Sequence, residues 1–244
     1  MPPVIDIPSI LIIFVAYLIR GITGFGSGLI AVPLLAHLLP LQVVVPMILV
    51  LDLTAALILG GQSRTRVRWN EIGPLVPASL IGILVGANVL ARAPTVPLLV
   101  TLGLLVLIFG VRYLLTLPDE RPVSRLWALP AGFVGGLVGA LFGTGGPPYV
   151  LYLTHRLRDK GQLRATLSGL FMLDGGLRLL TFTGTGMMLQ PDLWRRLLPA
   201  LPVLAFGLYI GHRVHLRIRR EQLIRLVGLL LVLSGGSLLL KAAR

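Results

Sequence analysis

Apolar residues run through this chain in blocks too long for a soluble fold, and the polar residues that interrupt them fall into short clusters. A helix needs about 20 predominantly apolar residues to span a bilayer. Such blocks lie near Pro8 to Leu39, Leu41 to Gly61, Ile72 to Ala91, Val96 to Leu117, Leu126 to Tyr152, Leu163 to Leu189, Leu193 to Gly211 and Leu223 to Leu240. A membrane barrel would instead show short alternating strands, so the pattern predicts helices. The first and fifth blocks are interrupted from within, at Gly24-Phe25-Gly26-Ser27-Gly28 and at Phe142-Gly143-Thr144-Gly145-Gly146-Pro147-Pro148. Glycine weakens a helix, and proline removes the amide proton that would continue one, so each interrupted block predicts two half-helices. Proline suits the first turn of a new helix, which predicts a restart at Pro148.

The two interruptions share the pattern Phe-Gly-(Ser/Thr)-Gly, and the correspondence extends beyond them. Leu51-Asp52 matches Leu173-Asp174, Trp69 matches Trp194, and Gly82 with Gly86 matches Gly207 with Gly211. The chain therefore reads as two four-segment repeats, residues 1–117 and 126–244, joined by a cytoplasmic linker at 118–125.

Composition agrees with the membrane reading: 55% of the 244 residues are hydrophobic and 13% charged, too few polar groups to cover a soluble surface. The net charge of +13 does not indicate nucleic-acid binding, because the basic residues sit mostly in short loops between apolar blocks. The absence of cysteine excludes disulfides, thiolate metal sites and a Cys nucleophile. No HExxH or comparable metal spacing is present, and neither a metal nor a cofactor is expected. The amino-terminal stretch lacks the basic region and cleavage site of a signal peptide, so no removed leader is expected.

Loop charge distinguishes two topologies. If all eight blocks cross, nine loop Lys and Arg residues lie on one side and ten on the other. If the two interrupted blocks turn back as hairpins, fourteen gather on one face (the loops carrying Arg64 to Arg68, Arg112 to Arg125, Arg156 to Arg164 and Arg213 to Arg220) and five remain opposite. The positive-inside rule favours the second arrangement. The fold expected is thus an all-α integral membrane protein of two inverted four-segment repeats, each beginning with a broken, re-entrant hairpin, with both termini outside the cytoplasm.

The paired breaks, the apolar half-helices Leu29-Ile30-Ala31-Val32-Pro33-Leu34-Leu35 and Pro147-Pro148-Tyr149-Val150-Leu151-Tyr152-Leu153, and the duplicated plan resemble the sulfite exporter family TauE/SafE over nearly the whole chain. Many relatives carry a run of glycines where this chain has Ser27 and Thr144, and the Pro147-Pro148 pair is a further departure. The resemblance implies a multi-pass permease of the bacterial inner membrane for sulfur-containing anions such as sulfite, sulfoacetate or related sulfonates.

The residues themselves also suggest an anion site. Half-helices starting near Gly28 and Pro148 would aim free N–H groups and a partial positive charge at the protein centre. Gly26, Gly28, Gly143, Gly145 and Gly146 would let backbone approach a ligand, and Ser27 and Thr144 would add hydroxyl donors. The alternative is close small-residue packing between helices. Charges at bilayer depth cost roughly 2.5–3.5 kcal/mol each, so they pair or face a cavity. Arg20 and Arg178 are candidates for holding the anion, and Asp52 and Asp174 for coupling its movement to a proton; Asp174 and Arg178, four residues apart, could equally form a structural ion pair.

Asn88 is expected to hydrogen-bond across helices, and Trp69, Trp127 and Trp194 to sit at the membrane boundary. The run Arg213 to Arg220 reads as a cytoplasmic anchor. The expected function is a secondary transporter, not an enzyme, exporting a small anion by alternating access, with no ATP motif in the chain. The expected partners are that anion, the lipid bilayer and a second copy in a homodimer. A passive anion channel and an intramembrane enzyme using Asp52 and Asp174 remain the alternatives.

Overall fold

Gly143 ends a helix in the left-handed region, at φ 64°, with its N–H donating to the Gly139 carbonyl, and Gly26 holds the same region at φ 92° immediately before another helix begins. A side chain is strained in that conformation, so these two matched glycines permit both breaks. The computed structural model describes residues 6–23, 26–59, 66–115, 123–214 and 220–243. Gly24, Phe25, Arg64, Arg121, most of the 118–125 linker and residues 215–219 of the basic run lie outside the described residues.

The described residues form eleven α-helices and no strand. In the first half these are α1 (Ile7–Thr23), α2 (Ser27–Leu35), α3 (Leu41–Leu59), the short α4 (Trp69–Ile72), α5 (Leu75–Arg92) and α6 (Thr95–Leu115). In the second half they are α7 (Ala128–Phe142), α8 (Gly146–Arg156), α9 (Lys160–Gly184), α10 (Pro191–Val214) and α11 (Arg220–Ala242). The second helix of the later break begins at Gly146, two residues before the expected Pro148, with both prolines in its first turn. Five stretches, within α3, α5, α6, α10 and the 125–142 segment that contains α7, are long and apolar enough to cross a membrane. The helix α9 has the length but carries Asp174 and Arg178 in its middle.

The helices pack closely through glycine. Helix α1 lies along α10, where Gly21 meets Gly211, and α7 lies along α5, where Gly132 and Gly136 meet the backbone at Leu75 and Ser79. Helices α6 and α11 pair through Gly103 and Gly235. A β-carbon at Gly82 would sit 2.1 Å from the Phe133 carbonyl oxygen, and one at Gly211 would sit 2.2 Å from that of Leu18. Small residues at such contacts let helix backbones approach within lipid, where no hydrophobic gain drives helices together.

Polar ties join the halves at two further places. Arg156, at the end of α8, donates to both carboxylate oxygens of Glu71 in α4, at 2.8 and 3.1 Å, and Tyr152 donates to Glu71 at 2.9 Å. Arg125 donates to the Asn70 carbonyl, and Arg68 Nε donates to Gln162 at 2.9 Å. At the other end of the second helix of the first break, Lys241 donates to the carbonyls of Ala36 and His37, at 3.0 and 3.1 Å. Trp69, Trp127 and Trp194 are exposed near the starts of their helical segments. Asn88 differs from expectation: its amide donates to the Leu84 carbonyl one turn back on its own helix, because the side chain faces outward.

Gly82→Ala should lower the thermal midpoint of the purified protein, with overpacking costing about 1–3 kcal/mol. Gly176→Ala, where a β-carbon meets nothing within 4 Å, should leave the midpoint unchanged or raise it. The hydrogen bonds from Arg156 hold the Glu71 carboxyl below its usual range. A carboxylate depressed on folding contributes stability above its unfolded pKa, and that stability is lost as pH falls through the folded value. The midpoint difference between wild type and Glu71→Gln should therefore hold steady from pH 8 to about 5 and shrink below about 4, as measured by thermal melts across pH.

Candidate functional site

A lone carboxylate inside a helical membrane domain needs neutralising charge and donors, and Asp52, half-buried, and Asp174, fully buried, have each recruited the same set of residue types. Asp52, in α3, pairs with Arg20 of α1 at 2.6 Å and accepts from Tyr17 of α1 and Ser27 of α2, both at 2.7 Å. Arg20 also donates to the Ser27 hydroxyl at 2.9 Å and to the Asp52 carbonyl at 3.1 Å. Asp174, in α9, lies 2.9 Å from Arg178 on the same helix and accepts from Tyr149 of α8 at 2.6 Å and Ser79 of α5 at 2.8 Å. The Ser79 and Tyr149 oxygens are 2.8 Å apart, but each hydroxyl has one hydrogen, and Asp174 Oδ1 takes both.

The two quartets are alike in chemistry and unlike in origin. Tyrosine comes from before the break in the first half and from after it in the second, and Ser79 comes from the opposite half to its aspartate. Their exposure also differs: the Asp52 side chain is 19% accessible and that of Asp174 is 1%. Arg178 Nε approaches Asp174 Oδ2 without the alignment of a hydrogen bond, and its terminal nitrogen donates instead to the Gly139 carbonyl at 2.9 Å.

Between the quartets lies a cavity of about 60 Å³. Ten of the eleven residues singled out from the sequence line it: Arg20, Gly26, Gly28, Asp52, Gly143, Thr144, Gly145, Gly146, Asp174 and Arg178. The eleventh, Ser27, stands behind the wall and holds Asp52 and Arg20. The two breaks touch, since a β-carbon on Gly28 would fall 2.3 Å from the Gly143 carbonyl oxygen and 3.7 Å from the Thr144 methyl. Glycine at 28 is therefore required by close approach of backbone to backbone.

Four polar atoms on lining residues are buried with no hydrogen-bond partner: Arg178 Nε and Asp174 Oδ2, which face each other in the ion pair, and Thr144 Oγ1 and Arg20 Nε. Buried donors left unsatisfied cost about 1–3 kcal/mol each, so an orphan beside a cavity marks a place where a ligand or water completes the bonding. At roughly 10–15 Å³ per water molecule, the cavity has room for about four to six waters or a small solute in their place. The first turn of α2 supplies N–H groups from Ser27 to Ile30, whereas Pro147 and Pro148 leave the first turn of α8 two donors short. The paired side chains sum to zero charge, so the helix ends leave the cavity with a positive bias.

Sequence inspection did not identify Tyr17, Tyr149 or Ser79. Tyr17 precedes Arg20 by three residues, which puts both on one helix face, and that spacing was a readable signal. Tyr149 and Ser79 reach Asp174 from two other helices, and no local pattern marks them.

Comparison with known proteins returns a family. The model of the family described as "Sulfite exporter TauE/SafE" matches residues 9–238. A relative in Comamonas testosteroni, named "Probable inner membrane transporter protein TsaS", is 30% identical over 198 residues, which is 79% of this chain and 81% of that protein. No solved structure matches.

Gly135→Ala tests the second quartet without touching a charged group. The new β-carbon would lie 2.3 Å from the Tyr149 ring and must push it off Asp174. The variant should lose most transport activity in reconstituted vesicles, and Tyr149→Phe should reproduce the loss; full activity in both would show that this hydrogen bond is dispensable.

Proposed function

The chain belongs to the sulfite exporter TauE/SafE family of membrane transporters, and from that premise we propose that it moves a small sulfur-containing or organic oxyanion across the bacterial inner membrane, with the anion resting between the two glycine breaks. The observation that carries the reading is a set of unpartnered buried donors, Thr144 Oγ1, Arg20 Nε and Arg178 Nε, on residues lining a cavity of about 60 Å³ where the two breaks meet. Thr144, Arg20, Arg178 and the N–H groups of α2 bind the anion; Gly26, Gly28, Gly143, Gly145 and Gly146 keep the walls thin enough for it to approach backbone.

Halves 1–117 and 126–244 act as inverted repeats joined by the cytoplasmic segment 118–125. The matched packing of α1 on α10 and α7 on α5 supports this, as does the gathering of basic loops on one face. In this reading each break turns back within the membrane, and the two halves move around the shared site so that it opens to one face of the membrane and then to the other.

Asp52 and Asp174 couple the movement to protons. An oxyanion that takes a bidentate hold on Arg20 or Arg178 displaces the aspartate already there, and a buried carboxylate deprived of its arginine takes up a proton rather than stay charged. An inside-negative potential favours outward movement of negative charge by about 2.3 kcal/mol per charge per 100 mV, and a doubly charged anion leaving with one proton still moves net negative charge outward. Export is the direction this supports.

The test uses purified full-length protein in vesicles loaded with sulfite, sulfoacetate or sulfate. Sulfite efflux should be accelerated by sulfite outside, as a carrier's exchange is and a channel's is not, and internal pH should change with it. Thr144→Val, which removes a hydrogen bond to a charged ligand, should weaken the apparent affinity about 10- to 100-fold. Efflux of none of these anions, or affinity unchanged in both Thr144→Val and Arg20→Gln, would overturn the site.

A further inference from the structure

The second repeat leaves open a space that the first repeat fills. Helix α11 packs on α2, and its Lys241 caps the α2 end by donating to the Ala36 and His37 carbonyls. Helix α6 is the counterpart of α11 and α8 the counterpart of α2, but α6 makes no comparable contact with α8. Instead a groove of about 710 Å³ runs between α6, α7 and α8. Its walls are apolar, with Phe109 and Ala131 on facing helices. Its outer end carries Arg112, His155 and Trp127, and its inner end reaches Pro147, which is also a wall of the central cavity.

We propose that this groove holds one acyl chain of an anionic phospholipid whose phosphate is held at Arg112, so that a lipid takes the place that a helix occupies in the other half. Three observations support that occupant. The groove opens from helices whose outward faces are apolar, including Ile108 and Val134, so its natural surroundings are hydrocarbon rather than water. An apolar channel closed at one end by a cation and an exposed tryptophan matches a phospholipid's order of tail, glycerol and phosphate. Arg112 lies near the end of α6 on the loop side that the charge count assigns to the cytoplasm, the leaflet richer in anionic lipid. The proposal is independent of what the central cavity carries, although Pro147 puts the bound chain against the wall of that cavity.

Trp127 in the groove supplies its own probe. The full chain carrying Trp69→Phe and Trp194→Phe reports Trp127 alone, and Trp69→Phe with Trp127→Phe reports Trp194, a boundary tryptophan outside the groove. Both are reconstituted in phosphatidylcholine vesicles with a rising fraction of phosphatidylglycerol brominated on its acyl chains. Half-maximal quenching of Trp127 should come at a fraction at least about fivefold lower than for Trp194 or for brominated phosphatidylcholine. Arg112→Gln should bring the two lipids within about twofold of each other at Trp127. Ala131→Phe should fill the groove and remove the low-fraction quenching; if that variant does not fold, Arg112→Gln decides. Equal quenching of both tryptophans, or equal quenching of Trp127 by both lipids, would overturn the proposal. So would a Trp127 that neither lipid quenches, the result expected if a second copy of the chain covered the groove.

Discussion

The cost of burying a carboxylate governs the centre of this protein. A charge at bilayer depth costs about 2.5–3.5 kcal/mol on insertion scales and more when it has no partner, so Asp52 and Asp174 could persist only with a compensating shell. Each has an arginine, a tyrosine and a serine, and assembling those six partners draws α1, α2, α5, α8 and α9 onto the middle of the molecule. The short α2 and α8 start beside the aspartates, where their first residues take part in the shell or line the cavity next to it. What is left between the two shells is a small space bordered by donors that the aspartates have not used.

Glycine makes that convergence geometrically possible. Two breaks meet with backbone against backbone at Gly28 and Gly143, and the flanking helices close ranks through Gly82, Gly136 and Gly211. Van der Waals contact is the main attraction available between helices in lipid, so backbones that approach this closely hold the scaffold rigid around the shells. The halves are not copies at the level of contacts. The first quartet draws on α1, α2 and α3, whereas the second borrows Ser79 from the other half. Asp52 is partly accessible while Asp174 is sealed, and α2 is covered by α11 where α8 faces an apolar groove.

Much of this was legible along the chain because the bilayer enforces simple rules. Hydrocarbon demands blocks of apolar residues and internally satisfied backbone, so the helices could be counted, and clustered glycines, joined in the second case by two prolines, weaken a helix enough that the two interruptions could be placed within two residues. Charge in such a setting is conspicuous, which is why Arg20, Asp52, Asp174 and Arg178 stood out and why they line the cavity. The partnership of Asp174 with Arg178 could be read from a spacing of four on one helix. That of Arg20 with Asp52 could not, since 32 residues separate them.

Tertiary structure alone decided which hydroxyls complete the shells. Serine and tyrosine recur throughout apolar helices, and only the crossing of α5 and α8 over α9 distinguishes Ser79 and Tyr149 from the rest. It also decided that Glu71 would bind Arg156, a contact across 85 positions, and that Asn88 would turn back on its own helix. Sequence by itself determined the helices, their breaks and the charges that had to be buried, because those follow from transfer of each residue into hydrocarbon. Which buried groups meet depends on helix packing between distant segments, and that information is absent from any local stretch of the chain.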